Sequence, residues 1–173
     1  MAAATSDRPV DSRPDSAFLD AMAALAGGVC VVTALTAKGR PVGFTSTAVM
    51  SLSREPQLLA IGVGRRGRTL PTLLGGRTFA LNILHAGGEH ISRRFADSSA
   101  DRFAEVEWSA EERGGLPLLL AHSSYAVLCR IARDLPAGDH QLIVAAVEGV
   151  VTGTGGPTAL VHHDRRYHAL GAA

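Results

Sequence analysis

Apolar, largely β-branched runs separated by turn residues recur along the chain, and they constrain the fold more than any other feature. The clearest runs are residues 29–33, 58–63, 79–84, 124–132 and 140–152. Such runs favour β-strands because branched side chains pack well on a pleated surface. Lys38-Gly39 is a hairpin signal, and residues 134–139 predict a short linker between the last two strands. Short connections of this kind indicate antiparallel pairing.

Strands outnumber helices in this pattern. The predicted helices cover residues 15–26, 69–74 and 89–96, and short closing strands are predicted at 159–162 and 167–170. The pattern favours a mainly β fold, an antiparallel barrel with helical decorations, over a doubly wound parallel sheet. No internal repeat or composition shift marks a boundary, so we expect a disordered tail at residues 1–14 and one domain at 15–173.

Composition excludes several classes of partner. The chain has 173 residues, 46% of them hydrophobic and 19% charged, with a formal net charge of +1. A net charge this small gives no strong electrostatic attraction to nucleic acid or to anionic membranes. Aromatic residues make up 5% of the chain, which is too few for a base-stacking surface. No segment is apolar for long enough to span a bilayer, and residues 1–14 lack a signal-peptide core. The sequence predicts a soluble, cytoplasmic protein.

Metal and hydrolase chemistry lack a recognisable motif. Cys30 and Cys129 lie in apolar runs and are expected to be buried, reduced thiols. His162-His163 adjoins Asp164, but adjacent residues do not converge easily on one ion, so no metal site is predicted. The chain contains neither a nucleophile elbow nor either of the usual glycine-rich phosphate motifs.

The segment 43–53 concentrates hydroxyl side chains between two apolar runs and carries no charge. Its hydroxyl-bearing residues are Thr45, Ser46, Thr47, Ser51 and Ser53. They offer hydrogen-bond donors and acceptors at close spacing. A neutral, flat ligand with polar edges suits such a segment and its backbone amides.

A turn rich in glycine and arginine follows the run at 58–63. It contains Gly62, Gly64 and Gly67 together with Arg65, Arg66 and Arg68. It leads into a predicted helix that Thr69 could cap. Free amides, a hydroxyl and guanidinium groups suit a phosphate, and a solvated basic turn is the alternative.

Two further positions are candidates for a ligand site. In the helix at 89–96, helical phase points Arg94 toward a ligand and buries Phe95, although a surface salt bridge of this arginine pair to Asp97 or Asp101 is the alternative. His140 follows Gly138-Asp139 where a loop enters a strand, and the aspartate could orient its ring. A strand-end histidine bonded to backbone is the alternative there.

Taken in order, the motifs resemble the flavin reductase-like family of split-barrel flavin-binding proteins, the small reductase components of two-component flavin-dependent monooxygenases. The matching motifs are Gly28-Val29, Gly43 to Pro56, Arg65 to Thr69, Asn82-Ile83-Leu84, Ser92 to Ala96, Asp101-Arg102-Phe103, Trp108 and Gly138-Asp139-His140. The resemblance runs from about Phe18 to Leu170. Several motifs in one order are more specific than any one alone.

The resemblance implies a homodimeric antiparallel split β-barrel with FMN or FAD in a groove near the dimer interface. By the same resemblance, the isoalloxazine and ribityl would lie against Gly43, Phe44, Thr45, Thr47, Ala48, Gly62, Val63 and Gly64. The phosphate end would meet Arg68, Thr69 and Arg94, with Phe95 beside them, and the nicotinamide nucleotide would meet Gly138, Asp139, His140 and Gln141. Ser46, Ser51 and Asn82 complete the candidate cofactor-binding residues.

The implied activity is hydride transfer from NADH or NADPH to flavin, with His140 positioning the nicotinamide, followed by release of reduced flavin to a partner monooxygenase. A flavin-binding module without reductase activity is the alternative, and a barrel for another phosphorylated ligand is a third hypothesis. Two departures affect the details. Thr47 and Ala48 stand where the family often has Asn or Ser, and Gly67 replaces a serine of the arginine turn.

Overall fold

A seven-stranded antiparallel sheet dominates the computed structural model, which describes residues 15–98 and 101–171. The strands are β1 (Gly27–Gly28), β2 (Cys30–Leu35), β3 (Pro41–Ser46), β4 (Val49–Arg54), β5 (Gln57–Gly64), β6 (Thr78–Leu84), β7 (Ser109–Ala110), β8 (Pro117–Leu118), β9 (Ser123–Ala137), β10 (His140–Thr152), β11 (Ala159–His163) and β12 (Arg166–Leu170). The helices are α1 (Ser16–Ala23), α2 (Leu70–Gly76) and α3 (Glu89–Ala96). This confirms the predicted mainly β fold with helical decorations.

The main sheet must curl, because its two edge strands are consecutive in the chain. Its strand order is β3-β2-β6-β9-β10-β5-β4, which places β3 and β4 at opposite edges. Only Thr47 and Ala48 connect these strands, and two residues span a few ångströms. The backbone N–H of Gly62 in β5 donates to the carbonyl of Ala48 at 2.8 Å. The edges therefore approach each other, and the sheet forms an open barrel.

The hairpins follow the predicted turns, with one correction. Gly39 has a φ of +72° between β2 and β3, which confirms the hairpin predicted at Lys38-Gly39. The linker predicted at residues 134–139 is wrong, because β9 continues to Ala137 and Pro136 pairs with Gln141. The connection to β10 is therefore Gly138-Asp139 alone, with a φ of +63° at the glycine.

The core inside the curled sheet takes alternate residues of the strands. On β2 and β6 the opposite face is largely buried as well. Val32, Ile61, Phe79 and Ile143 are fully buried in the core. Helix α2 covers one side of the barrel and contributes Leu73 to the same cluster. This packing holds β3 and β5, the strands that border the candidate site, in fixed positions.

Two helix predictions need correction at their ends. The Asp15 side chain accepts from the N–H of Ala17 and caps α1. This helix ends at Ala23, and Gly27 and Gly28 pair with β11. Thr69 occupies the N-cap of α2 without a side-chain hydrogen bond, and that helix continues to Gly76. Helix α3 has the predicted bounds.

Cys30 and Cys129 are buried and unpaired, as expected, and burial raises the pKa of each thiol to about 12. Across residues 15–98 and 101–171, no helix is both long and apolar enough to cross a membrane. In the same part of the chain, no group of three or more His, Cys, Asp or Glu side chains is arranged to hold a metal ion. The predicted disordered tail at 1–14 lies outside the described residues.

Candidate functional site

The end of β3 and the turn after it form a ledge, defined here as residues 45–48. The Thr45 hydroxyl donates to the carbonyl of Ser92 in α3 at 2.6 Å, which attaches the strand to that helix. The Ser46 hydroxyl accepts from the N–H of Ala48 at 3.2 Å and shapes the turn. Thr47 and Ala48 are exposed at the turn. Two of the predicted hydroxyls therefore hold the ledge in place, while its outer residues face solvent.

Bare backbone in β5 lies beside this ledge, because Gly62 and Gly64 carry no side chains. A Cβ at Gly62 would lie 3.2 Å from the Cβ of Ala48 and 3.8 Å from Cδ2 of His140. His140 is the cross-strand partner of Gly64. The gap between Ala48 and the His140 imidazole is thus open because Gly62 has no Cβ to fill it. It suits a planar group that must approach the backbone closely.

His140 forms a dyad with its neighbour Asp139. Its Nδ1 lies 2.7 Å from Oδ1 of the carboxylate, and its side chain is 49% exposed. The hydrogen bond from His140 and its charge, with a smaller effect of Arg66, lower the pKa of Asp139. The Asp139 carbonyl accepts from the N–H of Arg65 at 2.9 Å. The hairpin that carries the dyad is therefore joined to the arginine-rich turn.

The arginine-rich turn also borders a cavity of about 620 Å³. Three segments line most of it: residues 40–44 at the start of β3, residues 66–70, and residues 101–103. Five of the predicted site residues, Gly43, Phe44, Val63, Arg68 and Thr69, are among its lining.

Gly43 is required by packing as well as by access to the cavity. A Cβ there would lie 2.7 Å from the carbonyl oxygen of Val32 and 2.9 Å from Cε1 of Phe95. Phe95 is fully buried and meets the ring of Phe103 edge to face, with centroids 5.0 Å apart. Phe95 therefore supports the cavity wall from behind.

Arg102, rather than Arg94, lines the cavity. Arg94 donates through Nε to the carbonyl of Arg102 and through Nη2 to that of Asp101, each at 3.1 Å, so it holds segment 101–103 in place. Arg102 donates through Nη1 to the Gly43 carbonyl at 2.6 Å. Burial and the positive charge of Arg68, partly opposed by Asp97, lower the pKa of Arg102. Two guanidinium groups that repel each other in a cavity favour a bound anion.

Three predicted site residues have other positions. Asn82 is fully buried, where its amide donates to the carbonyl of Val31 and to the Thr33 hydroxyl and accepts from the N–H of Leu119. Ser51 lies on β4 and lines a separate apolar groove. Gln141 donates through Nε2 to the Asp134 carboxylate at 3.0 Å. The structure brings neither Asn82 nor Ser51 to the ledge or to the cavity.

Comparison with known proteins identifies the family of the chain. The family model described as "Flavin reductase like domain" matches residues 22–171. The chain belongs to the flavin reductase-like family. The mainly β barrel described above is therefore the split barrel of this family, as the sequence resemblance implied.

Individual relatives of this flavin reductase-like chain cover most of its length. The "Flavin reductase (NADH)" of Kitasatospora aureofaciens is 39% identical over 163 residues, covering 92% of this chain and 85% of the relative. The reductase component of 4-hydroxyphenylacetate 3-monooxygenase from Thermus thermophilus is 38% identical, covering 89% and 95% respectively. The solved structure of the Streptomyces globisporus C-1027 NADH:FAD oxidoreductase in complex with NAD and FAD fragments superposes with a TM-score of 0.81 at 30% identity. The match covers 89% of this chain and 92% of that one.

In this flavin reductase-like chain, the cavity includes two arginines that the sequence did not assign to a ligand. Arg40 and Arg102 line it beside Arg66 of the arginine-rich turn, and Phe103 contributes an aromatic wall. The available signal was Asp101-Arg102-Phe103, which was recognised as a motif without a role. Arg40 has no local signal, because it becomes part of the site only through the pairing of β2 with β3.

Proposed function

We propose that this chain catalyses hydride transfer from NADH or NADPH to a flavin and releases the reduced flavin to a partner monooxygenase. The single observation that carries the proposal is the open gap between Ala48 and His140 over bare glycine backbone. Val63, the neighbour of Gly62 in β5, lines a cavity in which Arg68 and Arg102 repel each other. A planar ring and an anionic tail, the two parts of a flavin nucleotide, fit these two regions.

The ledge at residues 45–48 would hold the flavin ring mainly through its backbone groups. Thr45 and Ser46 use their hydroxyls within the protein, so the exposed residues Thr47 and Ala48 are the ones available to the ring edge. Glycines at 62 and 64 allow the ring to lie close to β5. Neutral donors of this kind stabilise the negative charge that the ring gains on reduction.

The anionic tail would meet Arg68 and Arg102. Both line the cavity, and Arg102 is held in place by the Gly43 carbonyl. Charge-assisted hydrogen bonds from guanidinium to phosphate are stronger than neutral ones and fix geometry. A phosphate between these two groups would also relieve their mutual repulsion.

His140 would position the nicotinamide next to the ring. Asp139 holds Nδ1 at 2.7 Å, which leaves Nε2 directed away from the carboxylate and available to the second substrate. The reduced nicotinamide supplies the hydride, so the protein needs no proton donor at that step and contributes orientation instead. This assigns His140 a positioning role at the reaction centre.

Steady-state assays test the proposal directly. Purified protein is mixed with NADH or NADPH and with riboflavin, FMN or FAD, and the loss of reduced nicotinamide is followed by absorbance. We expect catalysed loss with at least one pair. Flavin binding without loss of any reduced nicotinamide would instead identify a flavin-binding module and contradict the proposal.

We also propose a homodimer. Helix α1 exposes Phe18 (56%) and Met22 (48%), and β4 and β10 expose Met50 (53%) and Val150 (59%) beside an apolar groove of about 540 Å³. Several large apolar side chains that are about half exposed, beside an apolar groove, are typical of an interface between subunits. Analytical ultracentrifugation should give twice the monomer mass, and Met50→Glu should favour the monomer, whereas Lys38→Glu should not.

A cytoplasmic location is proposed on the free thiols. Cys30 and Cys129 are unpaired, and reduced cysteines are usual in the cytosol. Cell fractionation tests this, and recovery of the protein outside the cytosolic fraction would contradict it.

A further inference from the structure

A second sheet of three strands, in the order β1-β11-β12 and called the small sheet below, contacts the ledge at two points. One row of cross-strand neighbours runs through all three of its strands. Gly27 of β1 pairs with His162 of β11, and His162 pairs with Tyr167 of β12. The two ends of this row reach the ledge at residues 45–48 by different routes, one through Gly27 and the other through Tyr167.

Gly27 packs directly against the ledge. A Cβ at Gly27 would lie 3.4 Å from the Cβ and from the carbonyl oxygen of Thr47, which is ordinary van der Waals contact. The backbone of β1 therefore passes close to the turn that ends the ledge. Because β1 is paired with β11, the small sheet supports the ledge at Thr47.

Tyr167 reaches the ledge through a residue of α3. Its hydroxyl lies 2.9 Å from Oγ of Ser92, and Ser92 is fully buried. The carbonyl of Ser92 accepts from the Thr45 hydroxyl at 2.6 Å. Ser92 thus uses its side chain toward β12 and its backbone toward β3. A change at the tyrosine hydroxyl is therefore transmitted to the first residue of the ledge.

The Tyr167 ring is held in place on its other sides. The Arg93 guanidinium lies over the ring, with Cζ 4.9 Å from the centroid, and His162 meets the ring with centroids 5.2 Å apart. Arg93 is paired in turn with Glu89, one helical turn earlier, at 2.8 Å. A cation over the ring face and a second ring at its side limit the motion of the tyrosine. Its hydroxyl is therefore a fixed partner for Ser92.

We propose that Tyr167 is a positioning residue for the flavin ring, and that it acts through Ser92 on the ledge. The inference rests on the proposed function, because it assumes that the ring lies against the ledge. Backbone groups bind a ring edge well only when distance and angle are both correct. Loss of the bond between Tyr167 and Ser92 should loosen the ledge and weaken flavin binding. The nicotinamide should be unaffected, since His140 lies on β10, outside the small sheet.

Tyr167→Phe tests the bond alone, because it removes the hydroxyl and keeps the ring. The chain should fold, since the freed Ser92 hydroxyl can donate to a carbonyl of the preceding helical turn. Amide hydrogen exchange of residues 45–48 is measured in the flavin-free protein, and riboflavin and FMN affinities are measured by flavin fluorescence. We expect faster exchange at the ledge and about two- to tenfold weaker binding of both flavins, the effect of one neutral hydrogen bond. KM for the reduced nicotinamide should stay at the wild-type value.

Ser92→Ala removes the other partner of the bond and keeps the carbonyl that holds Thr45. It should reproduce the effects of Tyr167→Phe, and the double variant should lose no more affinity than either single variant, since all three lack the same bond. Tyr125→Phe is the matched control. It makes the same substitution at the other tyrosine of the chain, which lies on β9 and is 48% exposed, and it should behave as wild type.

Three results would overturn the inference. They are wild-type exchange at the ledge in Tyr167→Phe, faster exchange there with unchanged flavin affinity, and additive losses of affinity in the double variant. Additive losses would show that Tyr167 and Ser92 act separately. Failure of the proposed function gives a different result, because the wild type would then oxidise no reduced nicotinamide with any flavin. The exchange comparison requires neither flavin nor turnover, so the two failures are distinguishable.

Discussion

Nδ1 of His140 lies 2.7 Å from Oδ1 of Asp139, the residue that precedes it in a two-residue hairpin connection. The carboxylate is highly exposed, whereas the imidazole is half exposed and borders bare backbone at Gly62 and Gly64. The pair is therefore arranged to orient a ring at the edge of an open gap and contributes little to packing.

Asp139→Asn should affect the nicotinamide and not the flavin. The substitution removes the charge-assisted hydrogen bond to His140, but the site is exposed, so the effect is modest. We expect KM for NADH to rise about two- to fivefold with flavin affinity unchanged. Steady-state kinetics and flavin titration measure the two quantities separately, with Glu148→Gln in β10 as the control. An equal change in both would assign the dyad to the flavin.

Gly62→Ala should close the gap beside the ledge. The new Cβ would lie 3.2 Å from that of Ala48, which is at an exposed turn and can shift slightly, so thermal stability should change little. The methyl group would occupy space assigned to the ring, and we expect about tenfold weaker flavin binding. Gly75→Ala is the control, because a Cβ there meets nothing within 4 Å. Unchanged flavin affinity in Gly62→Ala would place the ring elsewhere.

Asn82→Ala should destabilise the fold without a direct effect on the ligand. It removes two donated hydrogen bonds and leaves the buried N–H of Leu119 without the acceptor that lies 2.8 Å away. A loss of about 2–4 kcal/mol in the free energy of unfolding is expected. Urea denaturation measures it, and flavin affinity per folded molecule should be retained. A loss of flavin affinity with stability intact would contradict the structural role.

Stability should fall as pH decreases below neutrality because of His122. Burial is the main cause that lowers the pKa of His122, followed by the charges of His90 and His85, while Glu107 opposes the shift. The unfolded chain therefore takes up a proton at a higher pH than the folded chain does. Neutral His122 therefore contributes to the free energy of unfolding at a pH above the ordinary histidine pKa. This contribution is lost as the pH falls from the ordinary histidine pKa to the lowered pKa of His122 in the folded chain.

Thermal melts from pH 8 to pH 5 measure this effect, and His122→Gln should flatten the profile. His168→Gln is the control on an exposed strand, and it should keep the wild-type slope. An unchanged slope in His122→Gln would show that other groups control the acid response.

The local pattern of apolar and polar residues was sufficient to predict most helices and strands of the fold. Helix α3 has the predicted bounds, because its apolar spacing and charged termini are encoded within eight residues. The end of β9 was missed because Pro136 is a strong local breaker, yet pairing with the long partner β10 extends the strand through it. Cross-strand pairing is a non-local contribution that no short window contains.

The candidate site was predictable only in part, for the same reason. Helical phase predicted that Arg94 points toward a ligand, but its guanidinium donates to the carbonyls of Asp101 and Arg102, and Arg102 lines the cavity. Asn82 lies in a motif of the family, and its sequence does not reveal that its amide is used within the core. Polar residue types indicate chemistry, whereas their partners depend on tertiary packing.

The bond from Arg102 to the Gly43 carbonyl gives the cavity a mechanical role. The same guanidinium joins β3 to segment 101–103, and Arg94 joins that segment to α3. A ligand that binds the Arg102 guanidinium therefore contacts a group that links β3, segment 101–103 and, through Arg94, α3. Ligand binding in the cavity is therefore coupled to local opening of α3. Slower amide hydrogen exchange in α3 would report this coupling at backbone groups that the ligand does not contact.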